Sequence, residues 1–485
     1  MAEYHKLYID GEWVDGAKGE TFASYNPYTG EVFATVAAGE VEDLIRAIEA
    51  ADAALPTWAS VPPAEKAELF LKAAGVLEEM RDEFVQTFVE EQGAAKFTCH
   101  FQVNFAAMLM REAAAQAHDP IGEILPSDTP GAFFMTKRQP AGVVVGIAPW
   151  NGPLLLGLRS VTLPMVYGNT TILKPSSETP VVGGALIAKL FERAGFPKGV
   201  VNVVWNGPGK SAAFGEALMA HPRVRRMNFT GSTEVGRELG ILGGKYLKRV
   251  ALELGGKDPC IILRDADMDT AINATAFGKF MGSGQGCMAV ERIIVEEPIA
   301  EEFIQKFTEK AASLKVGDPR DDDTCIGPLI NQRQLDRVKA LVEDAIENGA
   351  EVRCGGKYEG LSYYPTVLTN VKRDMKIMHE ETFGPVAPVI VVRDVEEAIE
   401  VANDTVYGLS CGIITRDLQK GLAIADRIES GMVHINESST ADEPHVPFGG
   451  VKDSGWGKMG GKHAAEEFTE LRWITFQTTP RQYPL

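Results

Sequence analysis

From Gly142 onward, short β-rich runs alternate with amphipathic helical stretches, and this alternation restricts the chain to an α/β fold. Residues 143–147, 170–173, 200–204, 226–229 and 250–254 read as strands, with helices at 180–193 and 211–220 between them. Strand, helix, strand in repetition is the sequence sign of a parallel, doubly wound sheet. After Gly255-Gly256 a second set begins, with strands at 260–263, 292–295 and 386–392 and helices at 299–314 and 333–348. A second α/β unit is therefore expected. Before Gly142 the texture differs. A helix is predicted at 41–55, with Leu44, Ile48, Ala51 and Leu55 on one stripe and Pro56 as its stop. Another is predicted at 66–92, where Phe70, Ala74, Leu77, Phe84 and Phe88 recur at helical spacing. Two extended runs, 133–138 and 472–477, lie outside both patterns.

Charge and cysteine usage narrow the class of function. Lys plus Arg total 48 against 67 for Asp plus Glu, a formal charge of −19. That balance argues against a nucleic acid or an anionic membrane as partner, since phosphate binding needs clustered Lys and Arg. It leaves room for one local basic pocket. The cysteines are Cys99, Cys260, Cys287, Cys325, Cys354 and Cys411, with no CxxC pair and no metal-ligand spacing. A reduced, metal-free cytoplasmic protein is the simplest expectation. The start of the chain turns at Asp10-Gly11 and carries no basic-then-apolar signal. The apolar stretch at 141–150 is far too short to span a bilayer.

Several short motifs carry chemistry. No GxGxxG follows a strand, and Gly207-Pro208-Gly209-Lys210 lacks the earlier Gly of a phosphate loop. Phe229-Thr230-Gly231-Ser232-Thr233-Glu234 follows a predicted strand instead. There Ser232 or Thr233 can cap a helix whose free N–H groups face a phosphate, or simply cap a helix. Cys287 stands behind Gly282, Gly284 and Gly286, glycines that read as having no packing value and as letting a small ligand approach. Cysteine is the strongest side-chain nucleophile near neutral pH. The other cysteines read as small buried apolar groups, Cys260 most clearly. Glu253 is a carboxylate in an apolar strand, suited to a base of raised pKa or to an inward partner for an Arg. Asn151, at a strand end, suits an oxyanion hole or merely a turn.

Taken together, Pro149-Trp150-Asn151, Lys174-Pro175, Gly231-Ser232-Thr233, Glu253-Leu254-Gly255-Gly256-Lys257, Gly286-Cys287, Glu381-Thr382-Phe383-Gly384-Pro385 and Pro447-Phe448-Gly449-Gly450 resemble, in order, the aldehyde dehydrogenase superfamily. The resemblance runs from Leu7 to the tail. It implies a Rossmann-type cofactor domain at 1–121 and 141–256, a catalytic domain at 257–462, and an oligomerisation arm at 122–140 and 463–485 that gives homodimers or homotetramers. It implies that Cys287 attacks the aldehyde, that Asn151 and the Cys287 N–H hold the oxyanion, that hydride passes to a nicotinamide, and that Glu253 activates water against the thioester. By the same match Glu381 contacts the nicotinamide ribose and Phe383 supports the ring region. Trp150 and Ser232 approach the pyrophosphate beside Gly231 and Gly255, and Lys174 reaches the adenosine ribose.

Two departures from the family's pattern bear on function. Ser177 stands where many members carry a glutamate. An uncharged side chain there tolerates a 2′-phosphate, with Lys174 and Lys210 adding positive field, so use of both NAD and NADP is expected. Alternatively Ser177 caps the helix starting near Pro180. Lys458-Met459 replaces an Arg-Glu pair, which removes a carboxylate from the route between Glu253 and water. For the substrate, Gly152 stands where a bulky aromatic is common, Leu155 and Leu156 offer apolar wall, Phe448 a flat face and Arg159 a donor. The stretch resembles the vanillin, benzaldehyde and salicylaldehyde branch, so an aromatic aldehyde is expected. An aliphatic aldehyde or semialdehyde substrate, or a cysteine esterase without redox activity, is the alternative. Arg159 can equally pair with an acidic neighbour at the surface.

Overall fold

The computed structural model describes residues 2–484. Its first sheet has eight strands in the order Gly455–Trp456, Arg249–Glu253, Val224–Thr230, Val143–Ile147, Thr170–Lys174, Val201–Val203, Leu7–Ile9, Glu12–Val14. The middle five pair in parallel, and the strands at either end run antiparallel to their neighbours. These central strands are nearly wholly buried, which is why they read as unbroken apolar runs rather than alternating ones. Chain order reverses between Val143–Ile147 and Val224–Thr230, and at such a switch point the connections leave in opposite directions and open a crevice beyond the strand ends. The second sheet has seven strands, all parallel except Glu351–Cys354 at one edge.

The structure corrects several sequence expectations. Pro56 does not end its helix, which runs Val41–Ser60. The lost N–H removes one helical bond, but two residues on Trp58 is 1% exposed and donates its indole N–H to the Met165 carbonyl at 3.0 Å. That anchorage carries the helix past the proline. The helix expected at 66–92 is three pieces, Pro63–Glu79, Arg81–Thr87 and a π-helical turn Phe88–Gln92, broken at Met80 (φ −90°, ψ 5°). Its five marked apolar residues are buried all the same. Two long helices escaped the apolar-stripe criterion, Lys96–Gln116 and Pro153–Val166. Both are buried on several sides, so neither shows a single apolar stripe.

The sheets do not divide at one cut near Gly256. Gly455–Trp456 returns to pair with Arg249–Glu253, and Met459, Ala464 and Phe468 join the core of the first sheet. The arm is a nine-residue antiparallel pairing of Ala132–Pro140 with Thr469–Gln477, plus Ile124–Leu125. Phe133 stacks on Phe476 at 4.7 Å, and Trp473 meets Phe134 edge-on. Among the described residues no helix is long and apolar enough to cross a membrane, and no cluster of His, Cys, Asp or Glu is arranged to hold a metal.

Candidate active site

The crevice at the switch point has a volume of about 440 Å³. Pro149, Trp150 and Asn151 follow one flanking strand; Thr230 ends the other, and Gly231 and Ser232 follow it. Gly255, just beyond Arg249–Glu253, and Glu381 and Phe383 from the second unit close it. Ser232 caps helix Thr233–Tyr246, its hydroxyl accepting from Val235 N at 3.4 Å, which points the free amides of the first turn toward the crevice. Sequence reasoning missed Arg333, Gln334 and Arg337. They line the crevice from helix Gln332–Glu347, and the spacing of four between the two arginines was the available signal. A Cβ on Gly255 would lie 3.0 Å from the Glu381 carboxylate, so the floor is shaped by the absence of a side chain. Helix amides, arginines and a side-chain-free floor fit an anionic dinucleotide.

A second cavity of about 120 Å³ lies on the other side of Cys287. Its walls include Phe101, Gly152, Leu155, Leu156, Arg159, Met281, Met288 and Phe448. Asn151 and Cys287 are the two residues that line both spaces. Cys287 follows a tight turn in which Gly282, Ser283 and Gly284 are all left-handed, with φ of 58°, 58° and 70°. A Cβ on Gly284 would lie 2.3 Å from the Gly384 carbonyl oxygen, so this glycine does pack, backbone against backbone. Burial pushes the Cys287 thiol up, and the carboxylates Glu253, Asp258, Glu381 and Asp442 push it further the same way.

Asn151 is held through its main chain. Its carbonyl accepts from Gln92 Nε2 at 2.7 Å and from Gln102 Nε2 at 3.4 Å. These two glutamines come from the π-helical turn and from the buried helix that the sequence pattern did not reveal. Glu253 ends its strand 3% exposed, and neither carboxylate oxygen has a hydrogen-bond partner. Burial raises its pKa well above the usual carboxylate range; Arg159 and Lys458 pull it down and Asp442 pushes it up. No arginine bonds it, so the inward-partner reading fails. Arg159 does pair with an acid, Asp442, at 2.6 Å, but deep inside rather than at the surface. Its guanidinium lies over the Phe448 ring at 4.6 Å, and Nη1 remains without a partner. Lys458 donates to the Gly449 carbonyl.

The residues assigned to the adenosine end fall elsewhere than expected. Lys174 is buried with no hydrogen bond from its ammonium, and burial lowers its pKa to about 8. Ser177 lines a separate cavity with Asn26, Glu91 and Glu178. It caps no helix: the Glu91 carboxylate takes the Val181 and Val182 N–H groups at 3.0 and 2.8 Å. Lys210 is held by Glu20 and Glu40, so it adds no field to a phosphate pocket. Glu381 accepts from Gly256 N at 3.1 Å, and burial first, then Glu291, pushes its pKa up to about 7.

The model of the aldehyde dehydrogenase family matches residues 13–474. The chain belongs to that family. A vanillin dehydrogenase of Pseudomonas fluorescens is 44% identical, with 99% of each chain covered. A benzaldehyde dehydrogenase [NAD(+)] of Pseudomonas putida is 43% identical over 99% of this chain and 98% of its own. The crystal structure of a salicylaldehyde dehydrogenase from Pseudomonas putida G7, complexed with salicylaldehyde, superimposes with a TM-score of 0.98 at 42% identity, each chain covered in full. This aldehyde dehydrogenase thus shares fold and chain length with its relatives from end to end.

Proposed function

We propose that this aldehyde dehydrogenase oxidises aromatic aldehydes of the benzaldehyde, vanillin or salicylaldehyde type to carboxylic acids, with NAD or NADP. The observation that carries the reading is that, among the described residues, Cys287 and Asn151 alone front both the small cavity and the large crevice. The group that attacks and the group that steadies the product of attack therefore stand between aldehyde and dinucleotide. An apolar cavity near 150 Å³ is known to take a benzene ring, and this one is of that order. The names of the relatives support a ring as well.

In this reading the Cys287 thiol gives up its proton to water, its sulfur adds to the aldehyde carbon, and the former carbonyl oxygen takes up negative charge. The Asn151 side-chain amide and the Cys287 N–H receive that charge. The clamp of Gln92 and Gln102 on the Asn151 carbonyl keeps the residue in place, so little reorganisation is needed. The dinucleotide, when bound, supplies the two-electron acceptor that turns this adduct into a thioester. Trp150, Gly231, Ser232, Gly255, Glu381 and Phe383 would hold it at the crevice. Glu253, unpartnered and of raised pKa, takes a proton from the water that releases the acid. Gly152, Leu155, Leu156 and Phe448 shape the ring slot, and the free Nη1 of Arg159 is the donor for a ring oxygen. Exposed Ile124, Leu471 and Trp473 on the arm support a homo-oligomer.

The test compares wild type with Cys287→Ala on benzaldehyde, vanillin and propionaldehyde, each with both dinucleotides. Reduced dinucleotide should form with the ring substrates and vanish in the variant, while dinucleotide binding by calorimetry persists. Equal turnover of propionaldehyde overturns the ring assignment, and turnover by Cys287→Ala overturns the nucleophile.

A further inference from the structure

The loop Glu381–Phe383 crosses the crevice with its main chain held by side chains instead of by other backbone. We infer that Glu291, four residues beyond Cys287, is a positioning residue that fixes this loop and thereby sets the grip on the dinucleotide. The inference rests on reading the crevice as the dinucleotide site. One Glu291 oxygen accepts from Thr382 N at 2.8 Å and from Lys257 Nζ at 2.7 Å. The other accepts from Phe383 N at 3.3 Å and from Lys279 Nζ at 3.1 Å. Lys257 also donates to the Thr382 hydroxyl at 3.2 Å. The opposite side of the loop is caught too: Gln334 donates to the Thr382 and Phe383 carbonyls at 3.1 and 2.8 Å, and Arg337 to the Glu381 carbonyl at 2.7 Å.

Such a harness has a reason. Phe383 is left-handed, with φ of 52°, a conformation that bulky side chains avoid. Its ring meets Trp150 edge-on at 5.4 Å, and Glu381 reaches back to Gly256 N at 3.1 Å. Released from Glu291, the loop would relax out of this shape and take both crevice-facing side chains with it. The charge of Glu291 matters as much as its reach, because a carboxylate accepts on both oxygens whereas an amide would turn an N–H₂ toward one of its donors. Burial pushes its carboxyl up, but Lys257, Lys279 and the Thr382 N–H outweigh that and hold it at about 2. Glu291 touches neither cavity, so its effect passes through the loop.

The experiment uses full-length protein carrying Glu291→Gln together with Lys279→Gln, which removes one charge of each sign. Hydrogen exchange at the Thr382 and Phe383 amides, followed by mass spectrometry without dinucleotide, should accelerate roughly tenfold. KM for the dinucleotide should rise by a similar factor, as expected for charge-assisted bonds lost at a loop. Hydrolysis of 4-nitrophenyl acetate without dinucleotide, which needs Cys287 and Asn151 but not this loop, should hold within about twofold of wild type. If the double variant does not fold, Glu291→Asp keeps the charge and shortens the reach, and should move the same readouts in the same direction. Unchanged amide exchange overturns the inference, as does ester hydrolysis falling in step with dinucleotide KM. Wild-type protein indifferent to any dinucleotide overturns the reading of the crevice, whereas the loop contact is decided by exchange alone.

Discussion

Glu253 and Glu291 are both carboxylates sunk out of water on either side of Cys287, and their surroundings treat them in opposite ways. Glu253 has no hydrogen-bond partner, and burial lifts its pKa well above the carboxylate range. Glu291 is equally buried but gathers two lysines and two backbone N–H groups, and its pKa falls to about 2. Burial alone therefore decides nothing about a carboxylate. Its partners decide whether it is a proton acceptor kept on edge or a fixed anionic strut. In sequence the two are similar on one side only, each a Glu preceded by apolar residues, Ala-Leu-Glu-Leu and Ala-Val-Glu-Arg.

The largest expected contrast is in turnover. Glu253→Gln should lower steady aldehyde oxidation by about 10²- to 10⁴-fold, the usual worth of a general base, while one burst of reduced dinucleotide survives. Quenched samples should carry the acyl group on Cys287 by mass spectrometry. A variant that turns over within about tenfold of wild type would erase the distinction between the two residues.

Stability should show the reverse. Glu291→Leu strands two buried ammonium groups and should cost about 3–5 kcal/mol in denaturant unfolding, the range for a broken buried pair. Glu253→Gln should cost nothing or stabilise. The sign follows from linkage. A raised folded-state pKa means the stability owed to the neutral acid is present below the unfolded value and is lost as pH rises toward the folded one. The gain from Glu253→Gln should therefore grow with pH. Equal losses in both variants would show that partner number is the wrong criterion.

The smallest effect is a displacement of a pH profile. A base works only when ionised, so turnover limited by thioester hydrolysis should climb with pH up to the raised Glu253 midpoint. Arg159 pulls that midpoint down, so Arg159→Met should move the rising limb to higher pH. Freeing Asp442 acts in the same direction, so movement to lower pH, or none, would mean that Arg159 does not set the Glu253 midpoint.

How much of this was legible beforehand divides along physical lines. The parallel strands of the first sheet and three of the second were found nearly residue for residue, because strands covered on both faces are written as short apolar runs between helices, whereas Thr366–Thr369, Ser410–Ile414 and Met432–Ile435 were not. Lys96–Gln116 and Pro153–Val166 were not found as apolar stripes, because a helix enclosed on several sides has no stripe to detect. The same loss hid part of the site. Gln102 and Asp442 became visible only through tertiary contact, with the Asn151 carbonyl and with Arg159. Cys287, Asn151 and Glu253 stood out because each is chemically out of keeping with its local sequence. Ser177 was read from the position where many family members carry a glutamate, and neither that match nor its spacing shows that the chain turns it into another cavity.

The antiparallel return of Gly455–Trp456 onto Arg249–Glu253 bears on how the molecule is made. During synthesis the outer edge of Arg249–Glu253 emerges with its hydrogen-bonding groups bare, and the segment that covers them lies about 200 residues further along. At roughly 5–20 residues per second the ribosome leaves that edge open for about 10–40 s. The strand that ends in Glu253 thus waits on about 200 further residues of synthesis for its partner. A nascent chain stalled before Trp456 would present a sticky β-edge to chaperones and to other copies of itself.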